Sequence, residues 1–120
     1  MSILLVTPRA QGLAAFAEAL GRGSGLPVAL AATWDEAVAQ VKAAPPRFMI
    51  LDQGLAEGSP LELSKKVLMI NAMVNLAVVS SLGEEEFHEA SEGLGILAPI
   101  PVNPAAAEGS ALAQVFLRFI

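Results

Sequence analysis

One carboxylate in this chain stands where a parallel sheet would place a functional group. The stretch Arg47–Asp52 reads RFMILD, an apolar run of four residues that ends on Asp52 and is followed at once by the loop Gln53-Gly54. A short, bounded apolar run of this kind favours a strand that is buried on both faces. Because ligands of open α/β sheets bind just beyond the carboxyl ends of such strands, Asp52 is the first candidate for binding or chemistry.

Other chemically capable residues stand in weaker contexts. The glycine-rich run Gly21–Gly25 follows a predicted helix and not a strand, so a turn is favoured over a phosphate-binding loop. His88, the only histidine, has Glu85 and Glu92 at helical spacing, which favours a solvated helix face over a metal site. The chain has no cysteine and no visible nucleophile–histidine–acid arrangement. We therefore expect no catalytic residues, no metal ligands and no enzyme activity.

The elements that must position Asp52 alternate between strand and helix five times. The predicted strands cover residues 2–6, 28–32, 48–51, 76–79 and 96–100. The first predicted helix has an apolar stripe at 13–20 and is closed by the glycines of 21–25. The second is capped by Thr33, and the third is capped by Ser59 and runs to about Val74. The fourth is an acidic helix at 84–92, and the fifth is capped by Asn103-Pro104. This alternation predicts parallel strands joined by right-handed crossovers, in one α/β domain that spans residues 1–120.

Composition limits the class of protein. Hydrophobic residues make up 54% of the chain and charged residues 16%, which is enough for a full core and too little charge for disorder. The longest candidate for a membrane span, Met69–Val79, is too short and contains Asn71 and Asn75. A net charge of −5 argues against nucleic acid as a partner. No basic leader precedes the first strand, so we expect a cytoplasmic protein without a signal peptide.

These features together resemble the receiver domain of two-component response regulators, the CheY-like family, over the whole chain. The resemblance is strongest from Phe48 to Leu63, which contains ILDQGLAEGSPLEL, and strong again in Gly93–Pro104 (GLGILAPIPVNP). It implies a flavodoxin-like, doubly wound five-stranded parallel sheet in the order 2-1-3-4-5, with helices on both faces. It also makes Asp52 the candidate phosphoacceptor. It places Ser80 at the hydroxyl position after the fourth strand, with Ser81 at the small residue beside it.

The chain departs from the receiver pattern at three of the five pocket positions. Receivers carry a pair of acidic residues directly after the first strand, and here the sequence is Thr7-Pro8-Arg9. Ile100 replaces the lysine after the fifth strand, and Leu97 stands at the aromatic switch position of that strand. Only Asp52 and Ser80 remain of the expected pocket. The chain therefore resembles a degenerate receiver, or pseudo-receiver.

These replacements predict a loss of phosphorylation chemistry. In the family, Mg²⁺ and the lysine neutralise the phosphoryl charge, and Mg²⁺ is normally held by carboxylates. Thr7 offers only a weak neutral oxygen and Pro8 offers none, so one carboxylate, Asp52, remains for the metal. Arg9 could reach Asp52 and imitate the missing cation, which would lower the carboxyl pKa. We therefore expect no cofactor, with Mg²⁺ bound only if Asp52 is a true phosphoacceptor.

Three hypotheses about function follow. The first is a stand-alone receiver-like signalling domain that acts by protein–protein contact, in which Asp52 caps the loop or pairs with Arg9. The second is a true phosphorelay receiver phosphorylated on Asp52, with Ser80 sensing the phosphate. The third is a small flavodoxin-like module that binds a ligand through the loops after strands one, three and four. Under the first, the hydroxyls of Ser80 and Ser81 would only satisfy turn backbone.

The expected partner is a protein, such as a histidine kinase or an output protein. Five of the 12 acidic residues lie between Glu84 and Glu92, which indicates either a solvated helix face or a docking surface. In the receiver family the fourth helix, the fifth strand and the fifth helix commonly form the output or dimer face. We therefore expect partner docking, or a homodimer, through this face, which includes Leu97.

Overall fold

A computed structural model describes all 120 residues, Met1 to Ile120. The strands are β1 (Ile3–Val6), β2 (Val28–Ala31), β3 (Phe48–Leu51), β4 (Asn75–Val79) and β5 (Ile96–Ile100). The helices are α1 (Ala14–Ser24), α2 (Trp34–Ala43), α3 (Pro60–Ile70), α4 (Glu84–Ser91) and α5 (Ala106–Leu117). None of the helices has the length and hydrophobicity that crossing a membrane would need.

All five strands are parallel, in the order β2-β1-β3-β4-β5. This confirms the predicted α/β architecture and strand order. In the centre of the sheet, Val6 of β1 pairs with Leu51 of β3, which in turn pairs with Val78 of β4. The carboxyl ends of these strands are therefore level, so the residues that follow them share one edge of the sheet.

The core consists of one apolar layer on each face of the sheet. Successive strand residues point to opposite faces, so Leu4 and Val6 join the layer under α2, α3 and α4, whereas Ile3 and Leu5 join the layer under α1 and α5. In the second layer the ring of Phe48 stacks on that of Phe116, with 4.1 Å between ring centroids. Burial on both faces explains why β1 and β3 are uninterrupted apolar runs.

The helix starts follow the predicted caps at two of three positions. Ser59 and Glu62 form a complete capping box at the start of α3, and the Thr33 hydroxyl accepts a hydrogen bond from the Glu36 N–H at the start of α2. The predicted cap at Asn103 is wrong. The cap of α5 is Ala105, whose N–H donates to the Glu108 carboxylate at 2.7 Å.

One predicted helix end is also wrong. The third helix ends at Ile70 and not near Val74, because Asn71 turns to an extended backbone and its carboxamide accepts the Met73 N–H. The predicted closure of the first helix by the glycine run is confirmed, because α1 ends at Ser24. Gly25 ends it with a φ of 72°, a left-handed conformation that glycine adopts without a Cβ clash.

Candidate functional site

Asp52 and Thr7 meet at the carboxyl edge because the strands before them are paired. Val6 and Leu51 are register partners, so the residues that follow them lie side by side. The Asp52 N–H donates to the Val6 carbonyl at 3.0 Å, and the Thr7 hydroxyl donates to Asp52 Oδ2 at 2.7 Å. Both residues are buried, with 0% of Asp52 and 1% of Thr7 exposed. Thr7 is thus a neutral hydrogen-bond donor to the buried carboxylate.

Arg9 approaches the same carboxylate from the loop after β1. Its Nε lies 2.8 Å from Asp52 Oδ2 and its Nη2 lies 3.0 Å from Oδ1, the fork geometry of a bidentate pair. The Nη2 atom also donates to the Val102 carbonyl, and Nη1 lies 3.4 Å from the side-chain oxygen of Asn103. One guanidinium therefore links the loops that follow β1, β3 and β5.

The Asp52 carboxylate has no hydrogen-bonding capacity left. Besides Thr7 and Arg9, the Gln53 N–H donates to Oδ1 at 2.7 Å. Each carboxylate oxygen thus accepts two hydrogen bonds, which fills the four sites that a carboxylate offers. An oxygen in this state cannot attack phosphorus or coordinate a metal ion unless one of these donors first withdraws.

The same contacts determine the charge of the pair. Burial alone would raise the pKa of Asp52, but the hydrogen bonds from Arg9, Thr7 and the Gln53 N–H outweigh it, and the pKa lies below its ordinary value. The hydrogen bond to Asp52 raises the pKa of Arg9 in turn. Both groups are therefore charged at neutral pH.

Neither of the two serines after β4 forms a hydrogen bond with the Asp52 carboxylate. Ser80 Oγ accepts the Leu82 N–H at 3.1 Å, and the Ser80 N–H donates to the Ile100 carbonyl at 2.9 Å. Ser81 is exposed. This geometry agrees with hydroxyls that satisfy turn backbone.

The remaining predicted pocket residues contribute no charge. Ile100 is only 3% exposed and packs in the core layer with Val79 and Leu112, so the position at which the resemblance predicts a lysine holds a core side chain. Pro8 is exposed at the rim, where a Cβ on Gly54 would lie 3.4 Å from Pro8 Cγ. Gly54 itself has a φ of 85°, which its turn requires.

No three histidine, cysteine, aspartate or glutamate side chains lie close enough together to hold a metal ion. His88 lies on the exposed face of α4. The contacts of Arg9 with Val102 and Asn103 were missed by the sequence analysis. Arg9 itself was identified as able to reach Asp52, but the loop after β5 carries no local pattern that places it beside the loop after β1.

Comparison with known proteins finds similarity at the level of structure. No protein-family model and no curated protein matches the sequence. The response regulator DrrB of Thermotoga maritima superposes with a TM-score of 0.80 at 15% identity, over 98% of this chain and 52% of that one. The chain thus spans about half the length of DrrB.

Two further solved structures show the same similarity. Chemotaxis response regulator CheY4 of Vibrio cholerae gives a TM-score of 0.77 at 18% identity, over 95% of this chain and 97% of that one. NtrX of Brucella abortus gives 0.78 at 22% identity, over 99% of this chain and 27% of that one. The structure and these neighbours together show that the chain has the fold of the CheY-like receiver domains of response regulators.

Proposed function

We propose that this chain is a receiver-like signalling domain that acts by protein–protein contact and is not switched by phosphorylation of Asp52. The observation that carries the proposal is the bidentate contact of Arg9 with Asp52. The guanidinium fills the place where an incoming phosphoryl group would approach the carboxylate. It also links three loops, so it holds the carboxyl edge in one arrangement.

Phosphoryl transfer to Asp52 would be unfavourable for two reasons. The attacking oxygen would first have to lose the Arg9 and Thr7 hydrogen bonds inside a buried site. The product would add about −2 charge at a position where Ile100 supplies no cation. Electrostatic stabilisation of the transition state usually contributes most to such catalysis, and the one cation at this site, Arg9, is already paired with the Asp52 carboxylate.

Magnesium binding is expected to be absent for the same reason. Mg²⁺ requires near-octahedral oxygen ligands, of which carboxylates are the usual protein source. Asp52 is the one carboxylate in the pocket, and both its oxygens are occupied. Isothermal titration calorimetry of the wild type should show no Mg²⁺ binding, and an affinity typical of ordinary receivers would contradict the proposal.

The candidate docking surface is the face formed by α4, β5 and α5. Leu97 and Ala98 of β5 are half-buried, and a shallow groove of about 180 Å³ lies between the end of β5 and α5, lined by apolar residues including Pro99, Ala111 and Val115. The acidic α4 flanks this surface. Interfaces often combine an apolar centre with a polar rim, and the groove with its flank has this composition.

A substitution on this face tests the assignment. If a partner or a second copy docks there, Leu97→Asp should abolish the complex, because it places a charge at the centre of the contact. Ala106→Asp, at an exposed position in the first turn of α5, is a control that also adds one negative charge. Sedimentation velocity should then show the complex for Ala106→Asp and no complex for Leu97→Asp. A complex that survives Leu97→Asp would show that the interface lies on another surface.

Intact-mass measurement after incubation with acetyl phosphate and Mg²⁺ tests the proposal directly. The wild type should gain no phosphoryl mass, whereas an ordinary receiver treated in parallel should gain it. Asp52→Asn identifies any modification at another residue. A phosphoryl group on Asp52 of the wild type would overturn the proposal and support the phosphorelay hypothesis.

The reverse experiment restores the pocket. A variant with Thr7→Asp, Pro8→Asp and Arg9→Ala frees the carboxylate and supplies two metal ligands. It should gain Mg²⁺ affinity and some phosphorylation of Asp52. Ile100→Lys completes the pocket but introduces an amine into a core position, so this change is added only after the folded state of the triple variant is verified by circular dichroism. A quadruple variant that folds but stays unmodified would show that the pocket account is incomplete.

A further inference from the structure

The two edges of the sheet differ in charge. In a parallel α/β fold the helices begin at the carboxyl edge and end at the amino edge. Of the seven Lys and Arg residues, only Arg9 lies at the carboxyl edge, where it is paired with Asp52. The other six are exposed. Arg22 and Lys42 lie near the ends of α1 and α2, Lys65 and Lys66 lie near the middle of α3, Arg47 precedes β3 and Arg118 follows α5.

Carboxylates have the opposite distribution. Eight carboxylates lie in the first turns of helices or in the loop after β3: Asp35, Glu36, Glu57, Glu62, Glu84, Glu85, Glu86 and Glu108. Glu108 is half-buried and the other seven are exposed. We call this set the acidic edge. Elsewhere, Glu18 pairs with Arg22 on α1, and Glu89 and Glu92 lie at the end of α4. The molecule therefore carries a charge asymmetry along the strand direction.

The amino edge also exposes large apolar side chains. Met69 is 88% exposed, Met73 is 80% exposed and Met1 is 68% exposed. Met1 and Met73 line a depression of about 270 Å³ together with Arg47, whose guanidinium donates to the Phe119 carbonyl. We call Met1, Arg47, Met69, Met73 and the basic residues around them the methionine edge. Clustered apolar exposure rimmed by polar groups is typical of interaction surfaces, and unbranched methionine adapts to irregular ones.

The acidic edge offers a matching recess. A depression of about 150 Å³ lies between the loop after β3 and the loop after β4, with Leu61, Val79 and Leu82 as its apolar lining. Leu82 is 39% exposed, and Glu84 follows it by two residues. The recess could receive a methionine side chain while the surrounding carboxylates face basic groups.

We propose that this chain associates head to tail with a second copy of itself, with the methionine edge of one molecule docked on the acidic edge of the next. The complementary charges select and orient the pair, and the methionines supply the apolar contact. Because the two surfaces differ, each added molecule leaves one free edge of each kind, and assembly grows with concentration instead of closing as a dimer. The contact does not use Asp52, and it shares with the α4–β5–α5 face only the first turns of α4 and α5.

Salt and concentration test the proposal first. Sedimentation velocity of the wild type is measured over a concentration series at about 10 mM and about 1 M salt, where the Debye length is about 30 Å and about 3 Å. The average sedimentation coefficient should rise with concentration at low salt and fall to that of a monomer at high salt. A wild type that is monomeric under both conditions, or that associates equally in both, would overturn the proposal.

Charge reversal on one edge at a time tests the geometry. Lys65→Glu with Lys66→Glu lowers the positive charge beside Met69 on the methionine edge, and Glu84→Lys with Glu85→Lys lowers the negative charge of the acidic edge. Each variant alone should associate roughly tenfold more weakly than the wild type. An equimolar mixture of the two should regain association, because the unaltered acidic edge of the first variant meets the unaltered methionine edge of the second.

Two controls separate this contact from others. Glu89→Lys with Glu92→Lys makes the same change of charge on α4 outside the acidic edge, and should leave association intact. Met73→Gln should weaken it without altering charge. If the mixture stayed monomeric, or if the wild type were monomeric and instead bound vesicles of anionic phospholipid, the self-contact would be refuted. A dimer sensitive to Leu97→Asp but not to the charge reversals would also refute it.

Discussion

At the scale of single residues, the centre of the candidate site is the ion pair between Arg9 and Asp52. Removing both charges from water opposes such a pair, and its attraction offsets this only when geometry and hydrogen bonding are good. Here the Asp52 carboxylate is fully buried, whereas the Arg9 side chain is 36% exposed and keeps part of its hydration. The pair therefore stabilises the fold through its good geometry and its filled hydrogen bonds. Removing Arg9, which leaves the buried carboxylate charged and unpaired, should destabilise the fold more than removing the charge of Asp52.

A double-mutant cycle measures this contribution. Arg9→Ala leaves a buried carboxylate without its cation and should lower the free energy of unfolding by about 2 kcal/mol. Asp52→Asn removes the buried charge and should cost less, about 1 kcal/mol. The double variant should lose less than the two single losses added together. Urea unfolding provides all three values, and an Arg9→Ala variant as stable as the wild type would show that the pair is not stabilising.

Acid should weaken the fold through Asp52. The folded-state pKa of this carboxyl lies below its ordinary value of 3.8, so its contribution to stability is fully present above that value and is lost as pH falls through the folded-state pKa. The difference in unfolding free energy between wild type and Asp52→Asn should thus be constant from about pH 7 to about pH 5 and shrink below about pH 4. Urea unfolding at several pH values measures it, and a gap that widens in acid would contradict the lowered pKa.

At the scale of elements, α1 and α5 approach each other closely through glycine. A Cβ on Gly109 of α5 would lie 2.3 Å from the Phe16 carbonyl oxygen and 3.1 Å from the Ala19 Cβ on α1. A Cβ on Gly23 of α1 would lie 2.8 Å from the Ala113 Cβ on α5. The absence of side chains at these positions determines how near the two helices pack on the sheet.

Gly109→Ala tests this packing. Alanine is the better helix former by about 1 kcal/mol, but the clash with backbone should outweigh that gain and destabilise the fold by about 1–3 kcal/mol. Ser110→Ala, the next and exposed position of α5, is the control and should be neutral or slightly stabilising. Thermal unfolding distinguishes the two, and a stabilised Gly109→Ala variant would mean that the helices separate at little cost.

At the scale of the whole molecule, protection from solvent is uneven across the sheet. Every residue of β1 and β3 is buried, whereas Phe87 is the only buried residue of α4, and four of the five β5 residues are half-buried or exposed. Few buried contacts mean low local stability. The α4–β5 side should therefore open before the centre of the sheet does.

Amide hydrogen exchange measures the local stability of each of these elements. Amides of α4 should exchange by local opening, whereas amides of β1 and β3 should exchange only with global unfolding. Mass spectrometry of peptides from deuterated protein resolves the two regions. Slow exchange in α4, equal to that of β3, would indicate that another molecule covers this helix.

The sequence by itself determined the elements and the placement of Asp52. Apolar periodicity, the capping box of Ser59 and Glu62, and the turn after Leu51 are carried by neighbouring residues, so they can be recognised before any tertiary contact is known. The errors at Val74 and Asn103 arose at helix ends, where a side chain such as Asn71 competes with the next helical turn for backbone hydrogen bonds.

Only the tertiary structure decided what Asp52 contacts. Arg9 and Asp52 are 43 positions apart, and Arg9 and Val102 are 93 apart. The sequence indicated that Arg9 could reach Asp52, but the bidentate geometry, the four filled acceptor sites and the link to the loop after β5 depend on strand register. Register is set by burial of the whole sheet and not by any local pattern. The same holds for Gly109: a side chain at this position is excluded only because α1 packs directly against it.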